Sequence, residues 1–278
     1  MSQANTLNPP PTTAQGTATS KDGTTIAFES AGTGPALVMV DGAMCSRAMG
    51  PMEAIAKLLT DRYTVYRYDR RGRGGSGDTQ PYAPAREVED LAAVIQAAGG
   101  SARVFGISSG AALALEATNH GLAITQLALY EAPFIVDATR PPSPADYLER
   151  LEAALARGRR SEAAKMFLRI VQMPALVLMV MPLTPAWKGI CNVAHTLPYD
   201  ARILADTQSG KPLPRDRWPH VTMPTLVMDG GKSPTWMRNA AKALADVLPG
   251  ARYQTLPGQT HMVKAQAIAP ALAAFFGA

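Results

Sequence analysis

Residues 103–110 read RVFGISSG, and this stretch decides the fold. Residues 103–107 have the pattern of a short buried β-strand, and residues 109–120 that of a helix ended by Gly121. The junction, residues 106–110, matches G-x-S-x-G. A serine on so tight a turn needs very small residues two positions before and after it. A glycine-rich turn without chemistry is the alternative, but the strand–turn–helix setting favours Ser108 as a nucleophile.

The stretches on either side alternate between strand and helix patterns. Residues 36–40 form a continuous apolar run, which is typical of a strand buried on both faces of a parallel sheet. We therefore predict an α/β fold with a mostly parallel central sheet flanked by helices. The predicted strands are 24–30 (an edge strand), 36–40, 63–68, 103–107, 127–130, 225–228 and 252–256, and the predicted helices are 52–59, 87–98, 109–120, 234–248 and 265–276.

One long segment interrupts the alternation. Residues 135–220 carry their own helical patterns, and a helical insertion of this length is usually a lid or binding element. We predict a helical cap over 135–220 and an α/β core made of residues 21–134 and 221–278. Residues 1–20 are rich in Thr, Pro, Ala, Gln and Asn, which bury little apolar surface, so a disordered tail is expected there.

A nucleophilic serine needs a base, and the chain has four histidines. His120 ends the helix that begins at the serine and therefore points away from it. His195 lies in the insertion, and His220 precedes a predicted strand. His261 follows the last predicted strand, at the same carboxyl edge of the sheet as Ser108. His261 is the predicted base, although a lone histidine is more often a surface residue.

Residues 24–276 resemble the α/β-hydrolase family of serine hydrolases. The matching segments are VDGA at residues 40–43, YDRRGRGGS at 68–76, the serine turn, MPTLVMDG at 223–230, and PGQTH at 257–261, of which the proline, the glycine and the histidine match. In most members the triad acid comes four residues after the position of Asp229, where this chain has Ser233. Ser233 also precedes Pro234, as a helix N-cap residue would.

Two acids are candidates for the third triad position. Glu131 ends the predicted strand after the serine helix, and some members, haloalkane dehalogenases among them, carry their acid there. Asp229 ends the later strand itself. Glu131 is the favoured acid and Asp229 the alternative. Without a catalytic role, Glu131 would be a solvated residue at a strand end, and Asp229 would be a turn residue.

The resemblance also implies an oxyanion hole made of two backbone N–H groups. One belongs to the residue after the nucleophile, Ser109. The other comes from the loop after Val40, which assigns it to Ala43. The family often has His-Gly in that loop, and here the pair is Asp41-Gly42.

Charge and composition exclude several classes of protein. The formal charge is +5, and its densest cluster is RRGR at residues 70–73, which superficially resembles an RGG segment for nucleic acid. Since the cluster falls in a family loop, we expect no nucleic-acid partner and predict that Asp69 and Arg73 hold that loop near the active edge. No apolar run approaches the ~20 residues of a membrane span, so no membrane partner is expected. The two cysteines, Cys45 and Cys191, suit a reducing, cytoplasmic setting.

These observations favour a serine hydrolase that uses no cofactor and no metal. Ser108 would attack the carbonyl of a carboxylic ester or lactone of a small, fairly apolar molecule. A cofactor-free perhydrolase or a carbon–carbon hydrolase would use the same residues. The alternative outside the enzymes is a ligand-binding protein on the same scaffold, with little or no hydrolysis. It is supported by the serine at position 233, where most family members have the triad acid. Substrate identity and oligomeric state are not predicted.

Overall fold

The structure is a computed structural model that describes residues 13–277. Its centre is an eight-stranded sheet with the order β1-β2-β4-β3-β5-β6-β7-β8. The strands are β1 (Ala14–Thr19), β2 (Thr25–Ala31), β3 (Ala36–Val40), β4 (Thr64–Tyr68), β5 (Ala102–Ile107), β6 (Ile124–Tyr130), β7 (Thr225–Gly230) and β8 (Arg252–Leu256). Strands β3 to β8 are parallel to one another, and β2 is antiparallel to both β1 and β4.

Helices cover both faces of this sheet. They are α1 (Met52–Lys57), α2 (Pro84–Ala97), α3 (Ser109–Asn119), α4 (Tyr147–Ala156), α5 (Arg160–Ile170), α6 (Ala175–Val180), α7 (Ala186–Val193), α8 (Leu197–Leu204), α9 (Thr235–Val247) and α10 (Ala265–Phe276). Short 3-10 helices follow α6, α7 and α8, at Met181–Leu183, Ala194–Thr196 and Ala205–Thr207.

Alternate residues of the central strands enter two separate cores. Val38 of β3 and Val104 of β5 pack on the face covered by α2, α3 and α9. Leu37 of β3 and Phe105 of β5 pack on the opposite face, with α1 and α10. Side chains of a strand alternate between faces, so a strand buried on both must be apolar throughout. The predicted α/β fold with a mostly parallel sheet is confirmed.

The N-terminal prediction is wrong in part. Residues 14–19, expected to be disordered, form β1 and pair along β2 from Ala14 to Thr19. Strand β2 was predicted to be an edge strand, but it lies between β1 and β4. An edge strand is held mainly by its backbone hydrogen bonds and needs few apolar side chains; Ala18 is the only buried residue in β1. Residues 1–12 of the predicted tail lie outside the described residues.

Helices α4 to α8 lie between β6 and β7, where the sequence predicted a cap. Buried residues of α4, α5 and α8, among them Leu151, Ala164 and Leu197, form a small core of their own. Met44 from the loop after β3 joins this core. Helix α8 also contacts α3 and α2 of the α/β core. The insertion is therefore packed against the core along α8. The cap boundaries at residues 135 and 220 remain a prediction.

Within residues 13–277, no single helix has the length and apolar character needed to cross a bilayer. Two consecutive segments, Ala175–Leu183 and Ala186–Thr207, meet those criteria only when taken together, and they are bent by 101°.

Candidate active site

Ser108 occupies the turn between β5 and α3. Its backbone has φ 57° and ψ −131°, a conformation that L-residues rarely adopt and that often marks functional sites. A Cβ added at Gly106 would lie 2.6 Å from the Gly110 carbonyl oxygen. One added at Gly110 would lie 2.3 Å from the Val40 carbonyl oxygen. The two glycines of the motif are therefore required by backbone contacts, and they place Ser108 beside the end of β3.

The loop after β3 lies against the serine. A Cβ at Gly42 would come within 3.0 Å of the Ser108 Cβ. The Cys45 N–H donates to the Gly42 carbonyl at 3.4 Å, and Met44 has φ 63°, so the chain turns back sharply here. Among residues 13–277, neither the Ala43 N–H nor the Ser109 N–H donates to a protein acceptor. The two backbone donors named from the sequence are thus available beside Ser108.

Asp41, in the position where the family often has histidine, is buried at the end of β3. Its carboxylate accepts from the Gly42 N–H at 2.8 Å. Burial raises the pKa of Asp41 to about 6, and the Gly42 N–H opposes that rise. The side chain therefore fixes the start of the turn.

Glu131 is the carboxylate that meets His261. The distance from His261 Nδ1 to Glu131 Oε2 is 2.8 Å, and Glu131 Oε1 accepts from the Gly230 N–H at 2.7 Å. Glu131 is fully buried and has φ 47°, at the first residue past β6. The His261 loop is held by the Tyr130 hydroxyl, which donates to the Thr260 carbonyl at 2.6 Å. Both carboxylate oxygens thus have partners, and one of them orients the imidazole.

Asp229, the alternative acid, faces elsewhere. It is also fully buried, but its Oδ2 accepts from the Tyr253 hydroxyl at 2.6 Å and lies 3.6 Å from Arg238 Nε. Its Oδ1 has no hydrogen-bond partner within the described chain. Burial first, and the hydrogen bond to Asp229 second, raise the pKa of Tyr253, which keeps the phenol a neutral donor.

The prediction that Ser233 caps a helix is wrong. Helix α9 begins at Thr235, its N-cap residue is Pro234, and no side chain caps it. The Ser233 hydroxyl is buried and makes no hydrogen bond to any residue in 13–277. Because the helix begins one residue later than the Ser-Pro pattern indicates, the serine lies one position too early to cap it.

A cavity of about 180 Å³ joins these groups. Ser108 and His261 both line it, and no hydrogen bond among residues 13–277 joins the Ser108 hydroxyl to the imidazole. His261 is the only one of the four histidines in its wall, and all four lie in the described part of the chain. The rest of the wall is mainly apolar and comes largely from the insertion and α9: Tyr147, Phe167, Ile170, Val171, Leu197, Ala201, Leu204, Pro234, Trp236 and Met237.

The arginine-rich loop is buried. Arg70, Arg71 and Arg73 are each at most 1% exposed, so they form no surface for nucleic acid. Arg73 Nη1 donates to the Gly42 carbonyl at 2.7 Å, which ties this loop to the turn beside Ser108. Asp69 accepts from the Arg47 N–H at 2.7 Å and from the Gly75 N–H at 2.8 Å. The sequence interpretation of a loop held near the active edge agrees with these contacts.

Sequence reasoning missed Asp200 of α8. Its carboxylate binds Arg70 Nη1 at 2.8 Å and Arg73 Nη2 at 2.6 Å, and it accepts from the Ser109 hydroxyl at 2.6 Å. Burial opposes ionisation, but the two arginines hold the pKa of Asp200 below its ordinary value. For Arg70, burial is likewise outweighed by Glu87 and Asp200, which raise its pKa well above normal. Nothing in the local pattern around Asp200 indicates this role, since its partners are distant in sequence.

Comparison with known proteins agrees with the observed fold. Residues 40–270 match the sequence model of the alpha/beta hydrolase family. The chain belongs to this family. An alpha/beta hydrolase from Sphaerobacter thermophilus DSM 20745 has 51% identical residues and a TM-score of 0.86, covering 94% of this chain and 100% of that one.

More distant structures share the fold of this alpha/beta hydrolase. A thermophilic esterase from Thermogutta terrifontis has 21% identity and a TM-score of 0.66, covering 95% of this chain and 98% of that one. The enol-lactonase from Burkholderia xenovorans LB400 has 21% identity and a TM-score of 0.68, covering 94% and 99%. A search of curated proteins gave no match.

Proposed function

We propose that this alpha/beta hydrolase is a serine hydrolase that cleaves the ester or lactone bond of a small, fairly apolar molecule. The observation that carries the proposal is the 2.8 Å contact between His261 Nδ1 and the buried Glu131 carboxylate, beside a cavity that His261 lines together with the strained Ser108. A nucleophile, a base and an orienting acid on three different loops are the elements of a serine triad.

The steps follow from these positions. His261 takes the Ser108 proton on Nε2 as Oγ attacks the substrate carbonyl, and Glu131 fixes the imidazole tautomer and stabilises the imidazolium. His261 then donates that proton to the leaving oxygen as the C–O bond breaks, which leaves an acyl group on Ser108. A water molecule then gives a proton to the imidazole as its oxygen attacks the acyl carbonyl, and the imidazolium returns that proton to Ser108 Oγ as the acyl C–O bond breaks, which releases the carboxylic acid. Apart from the substrate and this water, the steps use only groups of the chain.

The negative charge of the tetrahedral intermediate needs donors. The Ala43 and Ser109 N–H groups are without protein acceptors in the described structure, and both residues line the cavity with Ser108. Loss of one oxyanion donor costs ~2.7–4 kcal/mol of transition-state stabilisation in enzymes of this kind. The Arg73 contact to the Gly42 carbonyl holds the first of these donors in place.

The cavity limits the substrate. Its volume of about 180 Å³ is below the ~300–1,000 Å³ typical of ligand pockets, and its wall is mainly apolar. A short acyl chain or a small lactone suits that space. The distant structural neighbours named esterase and enol-lactonase agree with such a substrate but show the fold alone.

Covalent labelling tests the proposal. A fluorophosphonate should label the wild type once, at Ser108, and short p-nitrophenyl esters and γ-lactones should be hydrolysed. Ser108→Ala should abolish both labelling and hydrolysis. Ser101→Ala, which changes an exposed serine, is the matched control and should leave both intact.

Two results would contradict the proposal. Absence of labelling and turnover would favour the ligand-binding alternative. Labelling of Ser108 without cleavage of esters or lactones, together with cleavage of a carbon–carbon bond or formation of a peracid, would favour the related chemistries on the same triad.

A further inference from the structure

Arg140 is a buried cation in the wall of the catalytic cavity. It follows β6 and precedes α4, it is 8% exposed, and it lines the same cavity as Ser108 and His261. Its guanidinium lies over the Trp236 ring, 4.1 Å from the ring centroid. The stacking holds the guanidinium at the cavity wall.

The environment of Arg140 contains no compensating anion. Within residues 13–277, no carboxylate lies within 4.0 Å of it, and its one hydrogen bond runs from Nη2 to the Ile170 carbonyl. A guanidinium has five N–H donors and stays protonated in proteins, so most of its donors have no protein acceptor here. Burial lowers the pKa of Arg140, and no anionic partner opposes that effect.

The other charges of the cavity wall are already paired. Asp200 lines the cavity but is held by Arg70 and Arg73. His261 is bonded to Glu131. Arg140 is therefore the one charged side chain of the cavity wall that has no ionised or hydrogen-bonded side-chain partner within residues 13–277. A second group beside it, the Trp236 Nε1–H, is buried and has no acceptor in the described structure. Buried donors without acceptors are costly, which points to an acceptor supplied by the ligand.

We propose that Arg140 binds a free carboxylate of the substrate, so that the enzyme acts on short esters or lactones that carry a second, unesterified carboxyl group. This inference rests on the proposed serine hydrolysis. A carboxylate matches the guanidinium fork and has only acceptor atoms, as the unpaired donors require. Arg140 thereby determines specificity, while Ser108 and His261 carry the reaction.

A pair of isosteric substrates tests the charge alone. Monomethyl glutarate carries a free carboxylate, and methyl 4-carbamoylbutanoate replaces it with an amide of the same shape. Hydrogen bonds to charged groups contribute enough to predict a kcat/KM about tenfold to 100-fold higher for the carboxylate. Methanol release measures both. Equal rates, or a preference for the amide, would overturn the inference.

Arginine variants locate the effect. Arg140→Met keeps an unbranched apolar side chain against Trp236 and should remove the preference by raising KM for monomethyl glutarate, with little change for the amide. Arg140→Lys should retain part of it. Arg217→Met is the matched control, because Arg217 lies 5.2 Å from the Trp218 ring centroid and is absent from the cavity wall. Arg217→Met should keep the full preference; a preference that survives in Arg140→Met would overturn the inference.

Binding of glutarate separates this inference from the proposed hydrolysis. Calorimetry on Ser108→Ala should detect glutarate binding, and the double variant with Arg140→Met should bind it at least about tenfold more weakly. If glutarate binds through Arg140 but no ester is cleaved, the proposed function fails and the carboxylate site stands. If esters are cleaved but glutarate does not bind, only the carboxylate site fails. Should Arg140→Met not fold, the wild-type preference and Arg140→Lys decide.

Discussion

Two buried carboxylates lie at the ends of neighbouring parallel strands, and only one of them meets a histidine. Asp229 lies within β7, so the strand's alternation directs its side chain to the same face as Val227. Glu131 lies just past β6, where its positive φ turns the chain out of the strand. Its carboxylate reaches His261, whereas that of Asp229 reaches Tyr253. Location at the carboxyl edge of the sheet is therefore not enough to bring an acid to the histidine. The backbone conformation at the strand end decides which acid reaches His261.

The largest effect expected from this contrast is that of Glu131→Gln. The amide can still accept from the Gly230 N–H, but its NH2 group then meets His261 Nδ1 and favours the wrong tautomer. We expect kcat to fall by about 10⁴-fold, as when the triad aspartate of a serine protease is changed to its amide. Steady-state kinetics on a short p-nitrophenyl ester measure it. A loss below about tenfold would assign the orienting role elsewhere.

A smaller effect is expected when an acid is returned to position 233. In the Glu131→Gln background, Ser233→Asp places a carboxylate where most family members have it, and should recover about tenfold of kcat, equivalent to ~1.4 kcal/mol. As the control, Ser233→Asp in the wild type should not increase kcat. No recovery in the double variant would show that this chain has lost the geometry for an acid at 233.

Asp229→Asn should change activity much less. Asp229 contacts Tyr253 and Arg238 and is absent from the cavity wall, so kcat/KM should stay within about threefold, or ~0.7 kcal/mol, of the wild type. The measurement runs beside Glu131→Gln under the same conditions. A decrease comparable to that of Glu131→Gln would make Asp229 the triad acid.

The smallest effect on turnover is expected for Tyr253→Phe. Loss of the hydroxyl leaves the buried Oδ2 of Asp229 without that donor, which should cost ~1–3 kcal/mol of unfolding free energy while kcat stays unchanged. Denaturant unfolding and ester kinetics measure the two quantities. Tyr66→Phe is the control, since the Tyr66 hydroxyl makes no hydrogen bond within residues 13–277. A loss of turnover with intact stability would link Asp229 to the reaction.

The features that the sequence predicted are those that depend on short stretches of neighbouring residues. The apolar runs of the central strands and the glycines around Ser108 report directly on burial and close contact, so the sheet and the serine turn were predictable. Strand β1 was not, because an edge strand is stabilised mainly by its backbone ladder. Asp200 was not predictable either, because its partners Arg70, Arg73 and Ser109 are brought to it only by the folded insertion.

The ion pairs of Asp200 also determine which parts of the molecule open together. Local unfolding of α8 would leave Arg70 and Arg73 buried without this carboxylate, which is far more costly than exposing a few apolar side chains. Helix α6 contains no buried residue, and its Leu176 and Met179 are exposed. We therefore expect amide hydrogen exchange to separate the insertion into two cooperative units. Helix α8 should exchange together with the sheet, and α6 should exchange through smaller, more frequent openings.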